Sequence, residues 1–274
     1  MRTASQKLRG AIARVFPGCV MQSQAVAFNM FLAFFPMLLF ALGVINLAGW
    51  MQGEGKELPE RLAIILPPGS ERLVFEYLIR RSAHSWQLVW LGLGGTLLAG
   101  TQVMIGLMDG FRIIAGDPNR PSFWRRQLRA LLLLTLSVVP GVAAVTVTVF
   151  GRQLRNWLVA EFGLPQLMRL VAFFIFIVVE LLLALFVLFI VYRVGHPGSR
   201  TALRFLPGVF VASVLWWIVD VSFGFYVRHM PYSAVYGGLA AAIGLLLWMY
   251  MTALVVFVGA AYNIEAGRME RRRA

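Results

Sequence analysis

Stretches of about 20 predominantly apolar residues, the length needed to cross about 30 Å of hydrocarbon, recur six times along the chain. They lie near 25–50, 87–108, 130–150, 170–194, 204–227 and 235–263, with the polar and charged residues gathered between them. The pattern predicts an all-α, polytopic membrane protein with six transmembrane helices, in which residues 1–274 form a single membrane domain. The first run is longer than a signal-peptide core, follows basic chain and lacks a small-residue cleavage pattern after it, so it is expected to remain in the mature protein.

Two of the intervening segments show order of their own. Within 1–20, the stretch "SQKLRGAIARVF" sets Leu8, Ile12, Val15 and Phe16 on one helical stripe, with Lys7 and Arg14 on other faces. That predicts an amphipathic helix lying in the membrane interface on the cytoplasmic side. The long connection 51–86 contains "LPERLAIILPPGSERLVFEYLIRRS", two short helices broken at Pro67, Pro68 and Gly69, with Ser70 placed to cap the second. Its stripe of Leu73, Val74, Tyr77 and Leu78 fits a periplasmic hairpin on the outer leaflet, over a cavity mouth or against a partner protein. A packed connector is an equally open reading.

Composition and charge narrow the class. With 59% apolar and 14% charged residues, the chain has too little polar surface for a soluble domain of 274 residues. A net charge of +13 raises nucleic acid as a partner, but the basic residues sit in short clusters beside the apolar runs, where anionic lipid headgroups account for them. With the N-terminus inside, sixteen of the 25 basic residues fall in cytoplasmic segments and nine outside. Both termini are therefore expected in the cytoplasm, the basic tail 265–274 included. Cys19 is the one cysteine, which rules out an internal disulfide framework.

Within the runs, Gly92, Gly94, Gly95, Gly100, Gly106 and Gly110 present small surfaces, whose ordinary meaning in lipid is close helix packing. Such faces also permit a homo-oligomer. Pro36 in "FFPMLLF" is expected to kink or break the first span. Glu180 is the lone charge in "FIFIVVELLLALFVLFI" and lies ten residues past Leu170, about 15 Å along a helix and near the midplane. Asp220 sits at a neighbouring depth on the following run. Acids so placed must face protein or water, find a partner, or hold a proton. A structural hydrogen bond, coupling to protons or substrate, and an ion pair with Arg169 or Arg228 all remain open for Glu180, whereas Asp220 beside paired tryptophans favours the structural role.

Familiar catalytic patterns do not occur. His84, His196 and His229 have no metal-ligand spacing, no phosphate-cradling Gly-Lys-Ser/Thr loop is present, and Asp109, Asp117, Glu265 and Glu270 form no cluster along the chain for a two-metal site. No cofactor and no resident metal are expected.

In the last third, "LRFLPGVFVASVLWWIVDVSFGFYV" and "YSAVYGGLAAAIGLLLWMYMTALVVFVGAAYNIEA" resemble the YihY/BrkB family of bacterial inner-membrane proteins. The matching positions are Pro207 and Gly208 after Leu206, Tyr236 with Gly237, Trp248, and Asn263 after Gly259. Pro36 in "AVAFNMFLAFFPMLLF" matches the family's first span, although Phe28-Asn29 and Phe34-Phe35 depart from its pattern there. The resemblance implies six spans with cytoplasmic termini. It carries over no catalytic residues, and the "ribonuclease BN" label borne by members finds no nuclease chemistry here.

The expected function is movement of an amphipathic envelope lipid, a phospholipid or lipopolysaccharide precursor, between leaflets. Arg125, Arg126 and Arg129 would hold its anionic headgroup, with Glu180 and Asp220 coupling the movement to protons. The alternative is a non-transporting scaffold that recruits an envelope assembly through the periplasmic hairpin, at 56–82.

Overall fold

Inside hydrocarbon each backbone N–H and C=O needs a partner from the chain itself, so long apolar runs become long uninterrupted helices. The computed structural model describes residues 4–47, 85–119, 121–161, 166–195, 205–229 and 239–271. These form helices α1 (Ala4–Gly18), α2 (Val20–Leu47), α3 (Ser85–Ala115), α4 (Phe123–Glu161), α5 (Gln166–Gly195), α6 (Leu206–His229) and α7 (Leu239–Arg271). Among the described residues there is no strand.

Among the described residues, five helices are long and apolar enough to cross a membrane, through Val20–Val44, Trp86–Ala115, Phe123–Ala143, Leu206–Tyr226 and Ala242–Gly267. The remaining expected span, 170–194, falls on α5, which is helical over 30 residues and contributes the shorter apolar stretch Leu181–Gly195. Large apolar side chains stay exposed on these helices, among them Leu98, Phe210 and Trp217, an arrangement that water would penalise and lipid accepts. The chain is a polytopic, all-helical membrane protein. The 51–86 hairpin, but for the start of α3, lies outside the described residues, as do Tyr236, Gly237 and the end of the basic tail.

The helices fall into two units. One comprises Met1–Cys19, Met108–Leu215 and Val255–Ala274; the other comprises Val20–Leu107 and Trp216–Leu254.

In the second unit, α2 and α3 run antiparallel along a seam of small residues. Val26 fills the place where Gly106 lacks a side chain, Pro36 lies against Gly95, the Phe40 backbone against Gly92, and Val89 against Gly43. A Cβ at Gly95 would stand 2.7 Å from that of Pro36, and one at Gly92 would stand 2.7 Å from the Phe40 Cα. Gln22 donates to the Gly106 carbonyl at 2.9 Å. The packing meaning is thus observed at Gly92, Gly95 and Gly106, whereas Gly94 meets nothing within 4 Å. Pro36 does not break its helix, because α2 continues from Val20 to Leu47. In a long membrane helix the remaining hydrogen bonds on either side have no aqueous alternative, and they hold the helix through the missing one.

In the first unit, the core is an aromatic cluster from three helices. Phe111 of α3 meets Tyr192 of α5 edge-on at 5.7 Å and Phe257 of α7 at 5.8 Å. The Tyr192 hydroxyl donates to the Val256 carbonyl at 2.8 Å, giving the buried phenol the partner that it requires. Gly195 lies flat against the Phe111 ring and Gly110 against Phe257. Helix α4 packs along α5. Helix α1 forms as expected, and the face it turns into the protein is Ala11 and Val15, joined by Cys19 just past its end, all at 0% exposure. Of the expected stripe, Val15 is buried while Ile12 and Phe16 are exposed, where an interfacial helix would offer them to lipid. Arg14, expected on a different face, turns inward to an ion pair with Glu265 of α7 and donates to the Ile114 carbonyl at 3.3 Å. The buried partner on α7 decides the helix's rotation more strongly than two apolar side chains that lipid can solvate equally well.

Candidate functional site

The turn between α3 and α4 builds the site. Helix α3 ends at Gly116, whose φ of 67° only glycine adopts readily. The Gly116 N–H returns to the Ile113 carbonyl and the Asp117 N–H to that of Arg112, each at 3.1 Å, which satisfies two of the helix's last carbonyls in a Schellman arrangement. Asp117 then accepts the Asn119 N–H at 3.0 Å, an Asx turn. Ser122 precedes the first residue of α4, with its carbonyl accepting the Arg126 N–H at 3.0 Å. This tight reversal sets the last turn of α3 beside the first turns of α4.

Between them opens a cavity of about 310 Å³. Helix α3 lines it with Met108, Asp109 and Arg112, the turn with Asp117, Asn119 and Pro121, α4 with Arg125, Arg126 and Arg129, and α5 with Val194 and Gly195. The three arginines expected from the sequence are therefore brought together at one cavity. Arg112 joins them, and its signal was available: a basic residue in the last turn of a helix that stops at a glycine and folds straight back.

Its electrostatics are unbalanced. Arg126 pairs with Asp109. Its Nε and the Nη2 of Arg112 are nonetheless buried without a hydrogen-bond partner. Arg125 and Arg129 have no ion pair among the described residues. Helix α4 also opens with no acidic residue in its first turn, so arginines stand at the positive end of the helix dipole. Such a collection of cations and unmet donors is suited to an anion.

The two membrane acids fare differently. Asp220 accepts the Trp248 indole N–H at 2.7 Å, within the second unit. The side chain of Glu180 lies outside the described ones. Among the family-motif positions, Gly208 and Asn263 meet: the Gly208 N–H donates to Asn263 Oδ1 at 2.7 Å. Pro207 lies in the first turn of α6, where a missing N–H costs nothing. Among the described residues no three or more His, Cys, Asp or Glu side chains converge as a metal ion would need.

Residues 18–274 match the family described as "Virulence factor BrkB". Among similar proteins, the Bacillus subtilis (strain 168) protein named ribonuclease-like protein YfkH is 26% identical over 247 residues, covering 88% of each chain. A UPF0761 membrane protein of Alkalilimnicola ehrlichii is 26% identical over 260 residues, 89% of this chain and 54% of its own length. One of Azotobacter vinelandii is 27% identical over 259 residues, 90% of this chain and 60% of its own length. This chain thus spans a little over half the length of those two UPF0761 proteins. No solved structure matches. With all but its first residues accounted for by the family, the chain belongs to the BrkB family of membrane proteins.

Proposed function

We propose that this chain moves an amphipathic lipid with an anionic headgroup between the leaflets of a bacterial inner membrane, without itself catalysing a covalent step. The observation that carries the reading is the arginine-lined cavity between α3 and α4. It has cationic donors in excess of their protein partners, and it is bordered by helices whose outer apolar side chains suit lipid. In this reading the excess of Lys and Arg sets the cavity on the cytoplasmic side, where headgroups of newly made lipid are presented. Arg125 and Arg129, exposed and without ion pairs, make first contact with the headgroup. Proton coupling, if the movement uses it, falls to Glu180, since Asp220 is already engaged by Trp248.

The test is translocation of headgroup-labelled lipids in proteoliposomes, with and without a pH gradient. Wild type should move anionic lipid, Arg125→Gln/Arg129→Gln should slow it by about tenfold or more, and Glu180→Gln should remove any dependence on the gradient. Folded wild-type protein that moves no anionic lipid would end the proposal.

A further inference from the structure

The charge and donor geometry of the cavity point to a narrower ligand class: we propose that it recognises a terminal, doubly charged phosphate, a phosphomonoester or diphosphate, in preference to the singly charged phosphodiester of ordinary phospholipids. This deepens the headgroup reading above and rests on it.

Charge is the first argument. Among the described residues, four arginines and two aspartates line the cavity, a formal excess of two positive charges. Both carboxylates are already engaged, Asp109 by Arg126 and Asp117 by the Asn119 N–H. A phosphodiester brings one negative charge and leaves the cavity positive. A phosphomonoester brings about −1.5 to −2 near neutral pH and comes close to balance.

Donors are the second. Arg112 Nη2 and Arg126 Nε are buried and unmatched, a costly state for a cationic group. Arg125 and Arg129, one helical turn apart on α4, add two unpaired guanidinium forks. A terminal phosphate offers three peripheral oxygens to these donors, whereas a diester offers two and carries a substituent on each side. The first turn of α4 adds its own positive pole, which repels the arginines it bears until an anion is seated.

Size is the third. At about 310 Å³ the cavity lies at the lower end of small-molecule sites. It accommodates a phosphate-bearing headgroup and leaves acyl or prenyl chains outside it.

The experiment is calorimetric titration of the purified full-length protein in detergent with short-chain phosphatidate, short-chain phosphatidylglycerol and inorganic pyrophosphate, at about pH 7.5 and about pH 5. The range spans the second ionisation of a phosphomonoester, near 6. Among the described residues, the titratable and charged groups lining the cavity are Asp109 and Arg112 from α3, Asp117 from the turn, and Arg125, Arg126 and Arg129 from α4, while α5 presents Val194 and Gly195. Phosphatidylglycerol, which does not titrate in this range, reports any response of those protein groups.

Phosphatidate should bind about tenfold or more tighter than phosphatidylglycerol at the higher pH, and the margin should shrink at the lower. Arg125→Gln/Arg129→Gln, at exposed positions that leave the fold alone, should erase the margin. Asp109→Asn, which releases Arg126, should tighten both lipids. Equal affinities in wild type, or a margin that survives the double arginine variant, overturn the inference. Pyrophosphate that binds while neither lipid does keeps the phosphate class, assigns it to a soluble anion and removes the lipid-transport reading. Translocation without a phosphate margin overturns this inference alone, and the margin without translocation removes transport alone.

Discussion

The backbone N–H of Gly208 donates to Oδ1 of Asn263 at 2.7 Å, so a side chain on α7 caps the start of α6. The first N–H groups of a helix have no partner within it, and here one is met from 55 residues away. The bond forms because the helices touch backbone to backbone. A Cβ at Gly208 would overlap both the Gly259 carbonyl and the Asn263 amide, and one at Gly259 would stand 2.7 Å from the Ala212 Cβ.

Gly208→Ala must therefore push α6 off α7. The expected loss is about 1–3 kcal/mol, the usual cost of overpacking. Gly94→Ala is the matched control, because nothing lies within 4 Å of its new methyl. It should be neutral or slightly stabilising, since alanine is the better helix former. Unfolding in mixed detergent micelles compares the two, and a tolerated Gly208→Ala would mean that the crossing is looser than described.

Asn263→Ala removes the cap without adding bulk. The orphaned Gly208 N–H should cost about 0.5–2 kcal/mol, in line with other lost helix caps. Hydrogen exchange should quicken in the first turn of α6 while the middle of α7 keeps its protection. Asn263→Asp, which keeps an acceptor, should lose less. Uniform exchange in wild type and Asn263→Ala would show that the bond does not hold this helix end.

Asp220 and Trp248 make a separate case, because their 2.7 Å bond needs an acceptor oxygen and not a charge. Asp220→Asn should keep stability and lipid movement near wild type. Asp220→Leu and Trp248→Phe should each destabilise by about 1 kcal/mol, by leaving a part-buried polar partner unmet. Loss of lipid movement in a stable Asp220→Asn protein would instead return Asp220 to a coupling role.

The helical membrane fold was legible in the sequence because span length is a one-dimensional property, and hydrocarbon permits few other backbones. Arg125, Arg126 and Arg129 were legible as a cluster for the same reason, being near neighbours along the chain. The cavity they line was not, since it depends on Gly116 turning α3 back and on Arg112 arriving from the other helix. Likewise Gly208 and Asn263 stood out only through family resemblance, as their spacing along the chain carries no sign of contact. The inward rotation of α1 was not legible, because Ala11 gives no sign of burial along the chain and the partner of Arg14 is Glu265, far away in it.

That rotation gives Cys19 its chemistry. The side chain sits at 0% exposure with Sγ 3.8 Å from the Gly110 carbonyl, and burial pushes its thiol from the ordinary 9.0 up to about 11. The thiolate is the reactive form, so a folded protein should resist maleimide at neutral pH for two reasons, access and protonation. The folded-state value is raised, so this group's contribution to stability is fully present below 9.0 and is lost as the pH climbs through about 11. A Phe16→Cys variant in a Cys19→Ser background supplies the exposed comparison, since Phe16 is 63% exposed three residues away, in the last turn of α1. Cys19 should label at least about a hundredfold more slowly than Cys at 16 near pH 7.5, and at the same rate once detergent unfolds both. Equal labelling in the folded protein would mean that α1 leaves its seat on its own. The Arg14–Glu265 pair would then be a contact that opens and closes, not a fixed strut.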